Sequence, residues 1–211
     1  GAIDDLVANG LRRINVSVDS LDPDRFKAIT RRDDLDRVLE GLAACERHER
    51  LRPIKVNAVA LRGVSEPDVL PLAELARRRP YVVRFIEVMP LDASRRVTRD
   101  AVLSGDELRA MITARWPLVP MAPERAAATG TSWRFADGAG WLQFVSSVTE
   151  PFCASCDRLR LTADGQLRTC LFAGSETDMR GPMRAGATDR ELAAIAVGAV
   201  WRQEAGHGMA G

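Results

Sequence analysis

The stretch from Ser147 to Phe172, SVTEPFCASCDRLRLTADGQLRTCLF, constrains this chain more than any other. It holds three of the four cysteines, Cys153, Cys156 and Cys170, in the spacing C-x2-C-x13-C. Two soft ligands separated by two residues can grip one metal ion or the edge of a cluster. A hairpin can return a third. The segment from Leu159 to Leu171 has that form: LRLT, the turn signal Asp164-Gly165, then QLRTCLF. Folding back at the turn carries Cys170 toward Cys153 and Cys156, so the spacing predicts a metal-type site.

The nature of that site follows from what the three thiols lack. Structural zinc closes its tetrahedron with a fourth Cys or a His. The only histidines are His48, on a predicted helix, and His207, near the end of the chain, and neither has a zinc-ribbon spacing. Thiolates also hold iron–sulfur clusters, and three protein ligands leave one iron open to a small molecule. Arg158 and Arg160, on alternate strand positions, share a face. Their guanidinium forks suit the oxygens of a phosphate. A structural zinc and a Cys153–Cys156 redox pair remain alternatives. The redox pair fits less well, because such motifs open a helix after a strand, whereas Pro151-Phe152 precedes and strand-like residues follow.

Charge narrows the function classes. Thirty Lys and Arg stand against 29 Asp and Glu, a net of +1, which is no nucleic-acid or acidic-partner footprint. The lysines are Lys27 and Lys55 alone. The arginine excess reads as coding bias, and against it Lys55 stands out. No apolar run approaches the roughly 20 residues of a membrane span, and no secretory leader opens the sequence. Thiols in a metal-type spacing fit a reducing cytoplasm. The first residue is Gly1, and residues 1–10 read as a loop or helix end entering a strand, as in a chain cut in mid-fold.

The rest alternates between strands and helices. In RRINVSVD, Ile14, Val16 and Val18 face one way while Asn15, Ser17 and Asp19 face the other. A helical turn opened by Asp22-Pro23 follows, then a helix over 34–50 with Leu35, Val38, Leu39, Leu42 and Cys45 on one stripe. Cys45 is thereby a buried structural thiol and His48 a solvated residue. The strand 53–60 repeats the pattern, with Ile54, Val56 and Ala58 opposite Lys55 and Asn57. A helix over 68–79 places Pro71 in its first turn, and a third strand ends at Met89-Pro90. Residues 91–103 read as a loop, and Ser104 to Glu107 as a capping box opening a helix. Strands with one apolar and one polar face, separated by helices, predict an α/β fold. It is a partial (βα) barrel of the TIM type whose polar faces line the lumen, followed by a small β-rich lobe. The expected domains are 1–116, the second half of a barrel; 117–130, a linker; and 131–211, a cluster-binding lobe. In that lobe a hairpin over 131–148 joins the cysteine hairpin, and Thr188 caps a last helix with Leu192, Ile195, Ala199 and Val200 inward.

The run PFCASCDRLRLTADGQLRTCLF closely resembles the C-terminal cluster motif of the GTP 3',8-cyclases of molybdenum-cofactor biosynthesis, a radical S-adenosylmethionine (SAM) family. Upstream, GLRRINVSVDSLDPDRF, IKVNAVALRGVSEPDV and VRFIEVMPL resemble its later barrel strands in the right order. The run from ETDMRGPM to EAGHGM fits downstream. In this family an N-terminal cluster, held by a C-x3-C-x2-C motif, cleaves SAM to a radical that abstracts hydrogen from C3' of GTP. The sugar carbon then bonds to C8 of the guanine. The resemblance implies that Cys153, Cys156 and Cys170 hold a C-terminal [4Fe–4S] cluster whose open iron meets the guanine. It implies that Arg158, Leu159, Arg160 and Lys55 bind GTP. Ser17 and Met89 match SAM contacts, and Asn57 is a weaker neighbour of SAM. The alternation had already placed Ser17 and Lys55 on the lumen side.

The same resemblance implies a cytoplasmic lyase that binds neither nucleic acid nor membrane, followed in its pathway by cyclic pyranopterin monophosphate synthase. A homodimer is left open. The sequence departs from the family in two places. It holds no C-x3-C-x2-C motif, and it stops soon after Gly206-His207-Gly208, short of a tail ending in paired glycines. The chain alone is therefore expected to be unable to generate the radical. Two other classes compete. A peptide-modifying radical SAM enzyme fits poorly, because a peptide needs no paired phosphate forks. A zinc-stabilised binding module would hold zinc without sulfide.

Overall fold

The computed structural model describes residues 1–89, 98–123, 125–172 and 175–203. The chain divides into two compact units. One spans Gly1–Arg125 and Thr129–Glu150; the other takes in Ala126–Ala128 and the chain from Pro151 onward.

In the first unit the elements run α1 (Ala2–Ala8), β1 (Asn15–Ser17), α2 (Pro23–Thr30), α3 (Leu35–Glu46), β2 (Ile54–Ala60), α4 (Glu66–Arg78), β3 (Tyr81–Glu87), α5 (Gly105–Thr113), β4 (Leu118–Pro120), β5 (Thr131–Phe135) and β6 (Trp141–Val145). One sheet takes them in the order β1-β2-β3-β6-β5-β4. β1, β2, β3 and β6 are mutually parallel, while at one side β5 pairs antiparallel with β6 and β4 pairs antiparallel with β5. The parallel part is what helical crossovers require, since parallel neighbours cannot be joined by a tight turn. The mixed α/β expectation is met.

The period-two pattern decides where the core lies. Ile54, Val56, Ala58 and Ala60 are all buried, whereas Lys55 and Asn57 are half-buried and Val59 is exposed. Tyr81, Val83 and Phe85 continue the apolar face, and Leu142 and Phe144 complete it. Against that face pack Leu42 and Cys45 of α3, Val69, Leu72, Ala73 and Ala76 of α4, and Leu108 and Ile112 of α5. Phe85 and Phe144 are paired in register and stack with ring centroids 5.8 Å apart. Cys45 is 3% exposed, as its stripe predicts.

Buried polar groups tie loops to this core. Asp68, fully buried on α4, accepts from Ser20 Oγ at 2.7 Å and from Arg25 Nε and Nη2 at 2.8 and 3.1 Å. The carboxyl thus pins the turn after β1 to α4. Ser104 and Glu107 form the expected capping box at the start of α5. Arg62 donates to Glu107 Oε2 at 2.8 Å. That guanidinium, with the Ser104 hydroxyl and backbone N–H, holds the Glu107 carboxyl down at about 2.

Several expectations change. Residues 1–10 contain a helix, α1. Its Asp4 Oδ1 lies 2.8 Å from His48 Nε2, so His48 is a half-buried hydrogen-bond partner and not a solvated residue. Helix α4 begins at Glu66, with Pro67 in the first turn, so Pro71 falls in its interior. The expected linker 117–130 contains β4, paired with β5 because Leu118, Val119 and Pro120 extend the sheet. The hairpin over 131–148 forms, but its strands belong to the first unit and not to the cysteine lobe. Leu142 and Phe144 of β6 are apolar residues that need the cover of helices, and β6 finds it between β3 and β5. Most of the expected loop 91–103, at residues 91–97, and His207 lie outside the described residues.

The second unit is built on a three-stranded antiparallel sheet of β7 (Arg160–Leu161), β8 (Gln166–Arg168) and β9 (Thr177–Asp178), with α6 (Arg180–Arg184) and α7 (Asp189–Trp201). Thr188 and Glu191 cap α7 as predicted. Ala199 is buried and Leu192 and Ile195 are half-buried, but Val200 is exposed, contrary to its expected inward place.

Truncating Phe144 to Ala at the centre of the core should cost about 3–5 kcal/mol in urea unfolding; a loss under about 1 kcal/mol would place the core elsewhere. Glu107 supplies a second check. Its folded pKa is depressed, so its contribution is complete above the ordinary carboxyl range and is lost as pH falls from about 4.5 toward about 2. Because the side chain is 44% exposed, solvent and salt reduce the effect. Glu107→Gln should flatten the pH dependence of stability in that window, and an unchanged profile would contradict the assignment.

Candidate functional site

Two groups of residues, one in each unit, carry the chemistry that the sequence singles out. The first is the polar face of the parallel sheet. Ser17 pairs in register with Asn57, Asn57 with Arg84, and Arg84 with Gln143. Across the antiparallel step Gln143 pairs with Ser132. Because cross-strand partners share a face, five polar residues form one row across β1, β2, β3, β6 and β5. Lys55 lies on the same face one pleat earlier, beside Asn15 and Val82. The structure therefore brings together Ser17, Asn57 and Lys55, as the alternation predicts. Met89 stands apart from the row, two residues past the end of β3 and half-buried.

Contacts within the row are long and polar. Arg84 Nη1 donates to Asn57 Oδ1 at 3.5 Å and Nη2 to Thr129 Oγ1 at 3.4 Å. Gln143 Nε2 donates to Ser132 Oγ at 3.4 Å. Asp19, beyond Ser17, accepts the Val59 backbone N–H at 2.8 Å. Burial pushes its carboxyl pKa up, against the opposing pull of that N–H.

Arg84 and Gln143 escaped the sequence reading. Residues 81–89 are mostly apolar, so their one arginine shows no alternation of polar positions. The signal was present: Arg84 has the phase of Val82 and Ile86, opposite to Val83 and Phe85. Gln143 is 7% exposed and lies between apolar neighbours, so only the register reveals its place.

The second group lies in the unit that begins at Pro151. Cys153 to Ser155 form a single 3₁₀ turn, closed by Cys156 N donating to Cys153 O at 3.2 Å. The hairpin then pairs Arg160 with Arg168 and Leu161 with Leu167 around the Asp164-Gly165 turn. Gly165 has φ +82°, and a Cβ there would meet Arg180 Cβ at 2.6 Å, so this position demands glycine. The paired segment ends at Arg160 and Arg168, two residues short of Arg158 and Cys170.

Arg158 is the organising cation. Its Nε and Nη2 donate to Cys156 Sγ at 3.3 and 3.2 Å, and its guanidinium carbon lies 4.8 Å from the centre of the Phe152 ring. Burial raises the Cys156 thiol pKa. The Arg158 backbone N–H and guanidinium, aided by Arg160, outweigh that effect and hold it below the ordinary thiol value. Cys170 Sγ accepts the Phe172 N–H at 3.4 Å. Leu159 is exposed and Arg160 half-buried.

Cys153, Cys156 and Cys170 are half-buried free thiols. Among the described residues, no three His, Cys, Asp or Glu side chains converge into a group able to hold a metal ion. The expected closure of the three thiols is thus not preformed. The donor set still fits a thiolate-held cluster by its chemistry: three unpaired thiols in one unit, one of them beside a guanidinium that favours its anionic form.

Comparison with known proteins places this arrangement. The sequence matches the Molybdenum Cofactor Synthesis C family over residues 81–209. The chain belongs to that family. The match takes in β3, β6 and all three cysteines of the hairpin unit. The chain is also 44% identical over 205 residues to a GTP 3',8-cyclase of Streptomyces coelicolor, covering 97% of this chain and 60% of that protein. It is 40% identical to a GTP 3',8-cyclase of Corynebacterium glutamicum, covering 95% and 54%. With a GTP 3',8-cyclase of Mycobacterium ulcerans it is 43% identical, covering 97% and 58%. The chain therefore spans between about half and three-fifths of the length of these relatives.

The thiol environments give a direct check. Alkylation of the native, metal-free chain should label Cys153, Cys156 and Cys170, with Cys45 reacting only after denaturation. Native labelling of Cys45, or protection of any of the other three, would contradict the placement.

Proposed function

We propose that this chain is the GTP- and cluster-binding part of a GTP 3',8-cyclase of molybdenum-cofactor biosynthesis. In this reading the first unit is the second half of a radical SAM barrel, and the unit from Pro151 is its C-terminal cluster lobe. The observation that carries the reading is the guanidinium of Arg158 bonded to Cys156 Sγ beside Arg160. It sets phosphate-binding forks at the thiols of a metal-type motif.

Cys153, Cys156 and Cys170 would hold a [4Fe–4S] cluster. Such a cluster would supply an iron able to take a small-molecule ligand, while SAM and a second cluster would supply the radical. The remaining work belongs to the protein's own side chains. Arg158 and Arg160 bind the triphosphate oxygens, since a planar fork matches them two at a time. Leu159, exposed between them, lines the nucleotide site. Lys55, on the polar face of the sheet, is the remaining GTP contact that the family resemblance implies. Ser17 and Asn57, neighbours in register on that face, and Met89 at the end of β3 contact SAM. Fixing both ligands at their reacting atoms and excluding water is the main thing a scaffold can add to this chemistry.

Compartment and partners follow from the reading. The free thiols suit a reducing cytoplasm, and among the described residues no helix is long and apolar enough to cross a membrane. The cyclised nucleotide passes to cyclic pyranopterin monophosphate synthase. Neither nucleic acid nor membrane is part of the reading, and a homodimer is compatible with it.

The test is GTP affinity of the anaerobically reconstituted chain. A charge-assisted contact is worth about 1.5–3 kcal/mol, so Arg158→Ala and Arg160→Ala should each weaken binding roughly 10- to 100-fold. Lys55→Ala should weaken it less, as expected of a single point charge. Tight GTP binding indifferent to both arginines would overturn the proposal.

A further inference from the structure

One buried carboxyl is left over when the ligand-facing residues are assigned. Glu87, the last residue of β3, is 1% exposed and belongs to the apolar, helix-facing side of the strand. Acids are rarely enclosed so completely without several hydrogen bonds. Glu87 Oε1 accepts Gly105 N at 3.0 Å, and Oε2 accepts Val148 N and Thr149 N, both at 2.9 Å. The Thr149 hydroxyl also donates to Oε1. One side chain therefore gathers the end of β3, the first turn of α5 and the segment just after β6.

We propose that Glu87 is a positioning residue that holds the C-terminal end of β3 in a fixed place for ligand binding. The backbone amide of α5 that it occupies is one with no partner inside the helix, so the carboxyl satisfies α5 and anchors itself. Val148 and Thr149 lie past the end of β6, and the same carboxyl accepts both of their backbone N–H groups. Two residues after Glu87 comes Met89, so the clamp sets where the chain leaves the sheet at the residue assigned to SAM. Space around the clamp is tight: a Cβ on Gly105 would meet Ser146 Oγ at 2.2 Å. This inference rests on the proposed SAM role of Met89 for its functional part, while the clamp itself stands on the hydrogen bonds.

Hydrogen–deuterium exchange and ligand binding test the two parts separately. Glu87→Gln replaces an acceptor with an amide N–H that faces donors. It should speed exchange at the Val148 and Thr149 amides tenfold or more. Ser104→Ala loosens the start of the same helix without touching Glu87, and it should leave those two amides unchanged. If the Gln variant does not fold, Glu87→Asp keeps the acceptors, shortens their reach and gives the same readout. Unchanged exchange at Val148 and Thr149, or equal acceleration in Ser104→Ala, overturns the clamp.

In the binding arm, S-adenosylhomocysteine should bind Glu87→Gln about tenfold more weakly than the parent chain, with Ser104→Ala unaffected even where it is less stable. Affinity that merely follows stability across the variants overturns the positioning role. A parent chain that binds no S-adenosyl ligand removes the reading of Met89 and with it that role, while the exchange result still decides the clamp.

Discussion

The parallel pairing of β1, β2, β3 and β6 is the constraint on which the rest depends. In a parallel ladder, register and the period of two act together: once Ile54 pairs with Tyr81, every side chain on both strands is assigned a face. One face must be apolar, because α3, α4 and α5 lie on it. The other is then free to be polar, and it carries Ser17, Asn57, Arg84 and Gln143 side by side. A one-residue slip would send Lys55 into the core and Val56 out of it. The burial of the core and the assembly of the polar row are therefore one event and not two.

The second unit follows a different logic. It has short strands, few buried side chains and a single 3₁₀ turn around its cysteines. Among its named elements only Leu167 and Ala199 are buried hydrophobic residues. A unit with so little apolar core is one in which a bound cluster can contribute strongly to stability, because ligation adds fixed contacts where packing supplies few. Of the cysteine segment, the 3₁₀ turn sets Cys153 and Cys156 three residues apart, joined by the hydrogen bond from Cys156 N to Cys153 O.

Legibility in the sequence tracked the strength of local pattern. The strand faces around Ser17 and Lys55 could be read because polar and apolar residues alternate from Ile14 to Asp19 and from Ile54 to Ala58. The capping boxes at Ser104 and Thr188 were equally plain, since each is a four-residue signal. Arg84 and Gln143 were hidden because β3 and β6 carry apolar residues on both faces, with Val82, Ile86 and Val145 on the same side as the two polar residues, which erases alternation and leaves only register to locate them. The hairpin 131–148 was recognised as a hairpin but assigned to the wrong unit, because a turn shows that two strands pair and not which third strand joins them. No local pattern announces the burial of Asp68 and Glu87, because most of their partners lie tens of residues away. The cysteine spacing singled out three thiols that fall in one unit, and the family match covers all three.

The most direct test of the central claim is the iron, acid-labile sulfide and zinc content of the anaerobically reconstituted chain, followed by electron paramagnetic resonance with and without GTP. The account predicts about four irons and about four sulfides per chain, with a reduced-cluster spectrum that GTP perturbs. Stoichiometric zinc without sulfide would contradict it, and would return Cys153, Cys156 and Cys170 to a structural role.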